Sequence, residues 1–228
     1  LSALLNSFLD FFLPRTCYNC GNKLTADDLL FCAECQPEIT RVSPERLKRE
    51  FDRKFASDKI ISGFQSHFVF ETEGAVQKVI HEMKYRNSFI MGKTLGQITA
   101  AGLYNNIIVW NADLIIPVPI HRLRRADRGY NQSLYIAKGI SAALNIPLKP
   151  HIIKRARYTA TQTALNLSER KQNVKDAFVL RHSRIIKRKR VILVDDVITT
   201  GATITECGKV LLDNGAEKVF AMSVALAE

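Results

Sequence analysis

Residues 191–203 read Val191-Ile-Leu-Val-Asp195-Asp196-Val-Ile-Thr199-Thr200-Gly201-Ala202-Thr203, and this order decides the fold. The opening four aliphatic residues predict a strand buried on both faces, as in parallel sheets covered by helices. Two adjacent carboxylates follow at its carboxyl end, and a loop of hydroxyls and small residues then opens into a helix over Ile204–Asp213. Such a loop, Thr199, Thr200, Gly201, Ala202 and Thr203, offers backbone N–H groups, a helix N-terminus and three hydroxyls to one phosphate dianion. Gly201 lets the backbone come close to the anion. Asp195 and Asp196 can bind sugar hydroxyls directly or hold Mg²⁺ through waters. Strand, acidic pair and phosphate loop together describe a cradle for a ribose 5-phosphate. A plain helix cap by Asp196 or Thr199 is the simpler alternative, but two acids and three threonines exceed what a cap needs. The nearest nucleotide-loop match, Asn87 to Thr94, lacks its first glycine and follows a helical pattern instead of a strand.

Outward from this strand the chain alternates. Ile60–Phe70 predicts a strand and Gly74–Met83 a helix, Lys93–Tyr104 a second helix and Leu114–Pro119 a short buried strand. Gln132–Leu144 reads as helix, Ile152–Lys154 as strand, Ser168–Ala177 as a polar helix and Val219–Leu226 as a closing strand. Apolar strands alternating with helices predict an α/β fold with a parallel sheet flanked by helices, whose ligands sit beyond the carboxyl ends of the strands.

Four of the five cysteines fall in residues 17–35 as Cys17-Tyr-Asn-Cys20 and Cys32-Ala-Glu-Cys35. Two C-x2-C knuckles at this separation predict a structural Zn²⁺ held by four thiolates. A pair of disulfides is the alternative in an oxidising compartment. A site closed by four cysteines has no open coordination position, so the metal supplies folding energy and no chemistry. Cys207 lies within a helical pattern and reads as a packed apolar residue. Before the knuckles, Leu4, Leu5, Phe8, Leu9 and Phe12 recur at helical spacing, which predicts an amphipathic helix covering an apolar face, with membrane contact as the other reading.

The 228 residues suffice for a core, and 46% hydrophobic against 24% charged residues exclude a disordered chain. No apolar run reaches the ~20 residues of a membrane-spanning helix. Leu1–Leu13 lacks a preceding basic residue and a small-residue cleavage site, a poor secretory signal, so a cytoplasmic protein is expected. The net charge of +11, from 33 Lys and Arg against 22 Asp and Glu, points to an anionic partner. One basic cluster runs from His121 to Arg128. A second includes Lys187, Arg188, Lys189 and Arg190 and reads either as a solvated basic hairpin or as a polynucleotide footprint. Aromatic residues interleave with neither cluster, so no stacking platform for single strands is visible. Of the five histidines only His121 stands near a candidate site; none has metal-ligand spacing.

Residues 191–203 resemble the phosphoribosyl pyrophosphate motif of type I phosphoribosyltransferases, and the chain as a whole resembles the ComF family of competence-associated, phosphoribosyltransferase-like proteins. The likeness is carried by Pro117-Val-Pro119-Ile-His121-Arg122 with Arg128-Gly129-Tyr130-Asn131-Gln132, by Arg157 through Thr161-Gln162-Thr163-Ala164-Leu165 to Arg170 and Asn173, and by the four-cysteine module. The chain thus divides into residues 1–40 as amphipathic helix and zinc module, 41–58 as a charged linker or exposed helix by its mixed charges, and 59–228, which the resemblance implies is a type I phosphoribosyltransferase-like domain. The resemblance also implies phosphoribosyl pyrophosphate with Mg²⁺ as ligand, Asp195 and Asp196 as the catalytic carboxylates on the ribose, and Thr199 to Thr203 on the 5-phosphate. Pro117, Val118, Pro119, His121 and Arg122 would form the pyrophosphate loop. Arg157, Thr161, Gln162 and Arg170 would belong to a flexible lid; the Thr-, Ala- and Gln-rich composition of Tyr158–Asn166 also fits a plain surface loop. The implied role is in DNA uptake, with single-stranded DNA and other competence proteins, such as a DNA-uptake helicase, as partners. Two classes stay open: a transferase with an unread acceptor, or a non-catalytic sensor that also binds single-stranded DNA.

Overall fold

The structure, a computed structural model, describes residues 15–85, 88–157 and 174–227. The amphipathic pattern before Arg15 and the lid residues Thr161, Gln162 and Arg170 lie outside the described residues. The cysteine segment ends in a 3-10 turn, Gln36–Glu38. The elements that follow are α1 (Pro44–Lys54), β1 (Gly63–Val69), α2 (Ala75–Tyr85), α3 (Phe89–Ile108), β2 (Leu114–Pro117), α4 (Arg122–Arg128) and α5 (Gln132–Leu144). Then come β3 (Ile153–Arg155), β4 (Phe178–Leu180), α6 (Ser183–Ile186), β5 (Arg190–Ile198), α7 (Ala202–Asp213) and β6 (Lys218–Leu226).

Four strands form one parallel sheet in the order β1-β6-β5-β2, and β3 and β4 form a separate antiparallel pair. The unbroken apolar run of β5 has the cause its sequence predicts: both faces are covered. Val191 and Leu193 pack in one core with Ile204, Cys207 and Leu211 of α7. Ile192 and Val194 pack in the other with Leu95 of α3 and Ile136 and Ile140 of α5. Strand β6 splits the same way, Val219 and Ala221 against Phe220 and Met222, as the period-two pleat requires. Helices α3 and α5 approach backbone to backbone, because a Cβ on Gly96 would lie 2.1 Å from the Ile136 carbonyl oxygen.

Both sheet edges are partly covered by short non-strand pieces. Along β1, the Val42 N–H donates to the His67 carbonyl at 3.0 Å and the Val69 N–H to that of Thr40 at 3.0 Å. Along β2, the Ile115 N–H donates to Pro147 and its carbonyl accepts from the Lys149 N–H, each at 2.9 Å. The cysteine segment is docked on the sheet domain: Leu24, Leu30 and Phe31 are buried in the same core as Phe68, Val79 and Met83.

The charged stretch after the cysteines folds into α1, begun by Ser43, whose hydroxyl accepts from the Arg46 N–H, with Pro44 at the first helical position. Helix α3 is longer than the expected Lys93–Tyr104: Met91, Leu95, Thr99, Leu103 and Ile107 keep one face buried against the sheet and α5 along its whole length, while Lys93, Gln97, Ala101 and Asn105 face solvent. The basic run 181–190 contains the short helix α6 rather than a hairpin, since Ile186 is drawn fully into the core and the Arg188 N–H bonds the Gly215 carbonyl at 2.7 Å.

Candidate functional site

The register of β5 creates the site. Its pairing with β2 ends at Pro117↔Val194, while its pairing with β6 continues through Val197↔Ala225 and Ile198↔Leu226. After the Val118 N–H donates to the Val194 carbonyl at 2.9 Å, the chain on the β2 side turns away. The resulting crevice of about 230 Å³ has Asp195 and Asp196 on its floor and residues 199–203 at one end. This is the location that open α/β sheets reserve for ligands.

Successive strand residues point to opposite faces, and the two carboxylates find different partners. Asp195 Oδ1 accepts from the Ser133 hydroxyl and from the Asp196 N–H, each at 2.9 Å. Asp196 pairs its Oδ2 with Lys84 Nζ at 2.8 Å and accepts at Oδ1 from the Val197 N–H at 2.7 Å. Burial and then the neighbouring Asp196 charge push Asp195 up to about 7. Burial also raises Asp196, but the Lys84 ammonium beside it outweighs that and holds it below the ordinary carboxylate range. One carboxylate of the pair is therefore fully ionised at neutral pH, and its neighbour is poised to gain or lose a proton.

At the phosphate end, Gly201 caps α7 with φ of 78°. A Cβ there would lie 2.6 Å from the Phe55 ring, so the loop rests on the residue that ends α1. The Thr200 hydroxyl accepts from the Ala202 N–H at 3.4 Å, the start of a helix-terminus anion cradle. The opposite wall carries Arg124, Arg128 and the buried Arg155. Gln132 is only 1% exposed, and its Nε2 has no hydrogen-bond partner among the described residues, a donor held ready at the crevice.

Competence protein F of Haemophilus influenzae is 37% identical to this chain over 153 residues, 65% of this chain and 67% of that protein. The chain belongs to the ComF family. A phosphoribosyl transferase domain model matches residues 131–227 of the ComF chain, and its parallel-sheet α/β fold is of the type I phosphoribosyltransferase kind. DNA utilization protein YhgH of Escherichia coli K12 is 38% identical over 107 residues, 47% of this chain and 46% of that protein, so the match spans about half of that relative. Among solved structures, the glutamine phosphoribosylpyrophosphate amidotransferase from B. subtilis, complexed with ADP and GMP, overlaps 58% of this ComF chain and 25% of that one. The identity there is 24% and the TM-score 0.40.

The pyrophosphate-loop residues of the ComF chain divide between two cavities. Val118 and Pro119 line the crevice, whereas Pro117, His121 and Arg122 line a larger cavity behind the loop, which Pro119 also borders. His121 is the N-cap of α4: its Nδ1 accepts from the Leu123 N–H at 3.3 Å. Arg157, the described member of the lid set, donates from Nη2 to the Lys175 carbonyl at 2.6 Å. Of the second basic cluster, Lys189 pairs with Asp113 at 3.1 Å and Arg190 lies over the Phe220 ring at 5.8 Å, while Lys187 and Arg188 are exposed. The cluster from His121 to Arg128, expected beside the pyrophosphate loop, sends Arg124 and Arg128 to the crevice, while sequence reading missed Lys84, Ser133 and Arg155 there. For Arg124 and Arg128 the signal was their i, i+4 spacing; Lys84 sends none.

The four cysteines of the ComF chain bring their sulfurs within 4.8 Å of one another, a cluster that can hold a metal ion. Cys20 and Cys32 sulfurs lie 3.7 Å apart, and all five cysteines are free thiols. N–H groups of Asn19 and Cys32 point at Cys17 Sγ from 3.4 Å. Burial raises Cys17, but backbone N–H donors, Cys20 and Cys32 first, outweigh it and bring the thiol to about 6. A hydrogen bond with Asn19 lowers Cys35, yet burial and its sulfur neighbours push it up to about 12. Four sulfurs this close cannot all ionise without a cation among them, which is the donor chemistry of a tetrahedral thiolate site.

Proposed function

We propose that the chain is a cytoplasmic phosphoribosyl pyrophosphate-binding protein that acts in DNA uptake, with a crevice built for phosphoribosyl transfer to an acceptor. The observation that carries this reading is the convergence on one crevice of two carboxylates, the N-terminus of α7 and a wall of arginines. The α7 end and Thr199 to Thr203 bind the 5-phosphate dianion. Asp195 and Asp196 take the ribose hydroxyls, and Arg124, Arg128 and Arg155 face the diphosphate in a form suited to bidentate contact. Mg²⁺, when bound, supplies charge neutralisation at the diphosphate oxygens. In transfer, the bond from C1 to the pyrophosphate oxygen breaks and a bond from C1 to the acceptor forms. The chain's part is to orient the two ends of the ligand and exclude water between them. The names of the Haemophilus and E. coli relatives, competence and DNA utilization, support the cellular role. The cysteine cluster holds a structural zinc ion in this reading.

Phosphoribosyl pyrophosphate with Mg²⁺ raises the melting temperature; at roughly a hundredfold excess over Kd the stabilisation is about 2.7 kcal/mol. The double change Asp195→Asn, Asp196→Asn abolishes that rise in a folded protein, and an unchanged rise overturns the ribose-site assignment. Pyrophosphate release with candidate acceptors distinguishes a transferase from a sensor. A sensor that also holds single-stranded DNA is the second reading. Lys187 and Arg188 favour it, as exposed cations at the amino end of β5, far from anything a diphosphate could reach.

A further inference from the structure

Helix α4 has two basic faces. Arg124 and Arg128, four apart, face the crevice, while Arg122 and Arg125, three apart, face the cavity of about 550 Å³ behind the pyrophosphate loop. That size suits a ligand of nucleotide dimensions. Lys154 of β3 and Arg181, which follows β4, add two more cations from the far wall. Among the described residues no carboxylate lines this cavity, and none of Arg122, Arg125, Lys154 and Arg181 forms an ion pair. Four unneutralised cations around one hollow repel one another, and an anion placed among them relieves that repulsion. His121 registers the same field: burial first, then Arg122, Arg155, Arg124 and Lys154, hold its pKa below the usual imidazole value.

The rim is aromatic. Phe89, at the start of α3, stacks on Tyr135 of α5 with centroids 4.7 Å apart and planes 28° from parallel. Tyr130 meets both rings edge-on and is fixed by its hydroxyl donating to the Met83 carbonyl. Lys138 covers the Tyr135 ring at 4.3 Å, and Phe89 is the ring of the three that is substantially exposed, at 43%. An apolar ring with nearly half its surface in water, held rigid by two neighbours beside a cluster of unpaired cations, has the composition of a stacking site for a heteroaromatic base bearing phosphate. The sequence does not show it, because Phe89 is 33 residues from Arg122 and only the packing of α3 against α5 unites them.

We infer that the cavity behind the pyrophosphate loop binds a nucleotide unit, its base on Phe89 and its phosphate among Arg122, Arg125, Lys154 and Arg181. The unit is either a free mononucleotide or one residue of a single strand; the chemistry is shared, and the site is separate from the phosphoribosyl pyrophosphate crevice. Because Pro119, Ile120 and Arg155 border both cavities, an occupant of one touches the wall of the other.

The test titrates thymidine monophosphate and a fluorescein-labelled twelve-residue oligothymidylate into the full chain at low salt. It compares wild type with Phe89→Ala, Phe89→Trp and the pair Arg125→Ser, Arg181→Ser. Phe89→Ala should weaken binding by about fivefold to a hundredfold, the range of one lost base stack, and Phe89→Trp should preserve it. The double arginine variant should reduce the salt slope for the oligonucleotide by roughly 0.7 per lost contact. Losses with the mononucleotide identify a free nucleotide as occupant, and losses with the oligonucleotide alone identify a strand. Wild type that binds neither probe, or variants that bind both as wild type does, overturn the inference. Each variant is also melted with and without phosphoribosyl pyrophosphate. A retained ligand-induced rise shows an intact fold and crevice, and keeps failure here distinct from failure of the crevice assignment.

Discussion

Asp195 and Asp196 are adjacent in the chain and differ in what surrounds them, which is enough to separate their protonation. Lys84 neutralises one; the Ser133 hydroxyl and the Asp196 N–H give the other two neutral donors, too little to offset burial next to a charge. A carboxyl raised to about 7 by folding binds its proton more tightly folded than unfolded. Its contribution to stability is thus complete below the ordinary carboxylate range and is lost as pH climbs to about 7. Asp195→Asn keeps an acceptor for Ser133 and removes the titration. The stability of the ligand-free variant, read from its melting temperature, should therefore gain on wild type between pH 5 and about pH 7, by a few kcal/mol, and level off above it. A constant difference across that range, followed by differential scanning fluorimetry, would show that Asp195 is not the group with the raised value.

Among the elements, α1 has the most to do with the site for its distance from it. Phe55, at the end of α1, is 1% exposed, packs edge-on against Phe64 of β1 at 5.4 Å and lies under Gly201. Phe55→Ala should cost about 3–5 kcal/mol of stability by opening a cavity, and should weaken phosphoribosyl pyrophosphate binding because the 199–203 loop loses its floor. Gly201→Ala attacks the same contact from the other side, by a Cβ that meets the ring and a φ that only glycine adopts freely. Calorimetric titration of both variants checks this; full affinity in a destabilised Phe55→Ala protein would mean the loop is held by α7 alone. This contact also marks where sequence reading stops. The run from Val191 to Thr203 was legible because strand, acids and phosphate loop are contiguous and each obeys a local rule. The charged stretch before Phe55 is equally well written as a solvated linker, since the ring that matters is one apolar residue at its end. Lys84 and Phe89 were hidden for the same reason: a lysine or a phenylalanine on an ordinary helix carries no local sign of what the fold will place beside it.

At the scale of the molecule, the cysteine segment and the sheet domain share one core, with Leu30 and Phe31 packed in the cluster that holds Phe68 and Trp110. Losing the metal should therefore be felt beyond the knuckles. Cys32→Ser, or a chelator, should lower the melting temperature reported by Trp110, the sole tryptophan, which stacks on Phe220 of β6. An unaltered Trp110 transition in metal-free protein would make the cysteine segment an independent unit. Residues 40–42 reach further. They bond the outer side of β1 at His67 and Val69, while 147–149 bond that of β2 at Ile115, so each margin of the sheet is partly covered against pairing with another chain. A fragment cut just before Ser43, as a simple division between cysteine module and main domain would invite, leaves β1 with a bare row of donors and acceptors. Such a fragment would expose that row to strand-to-strand pairing with copies of itself, which the short tether between the two halves obstructs along β1.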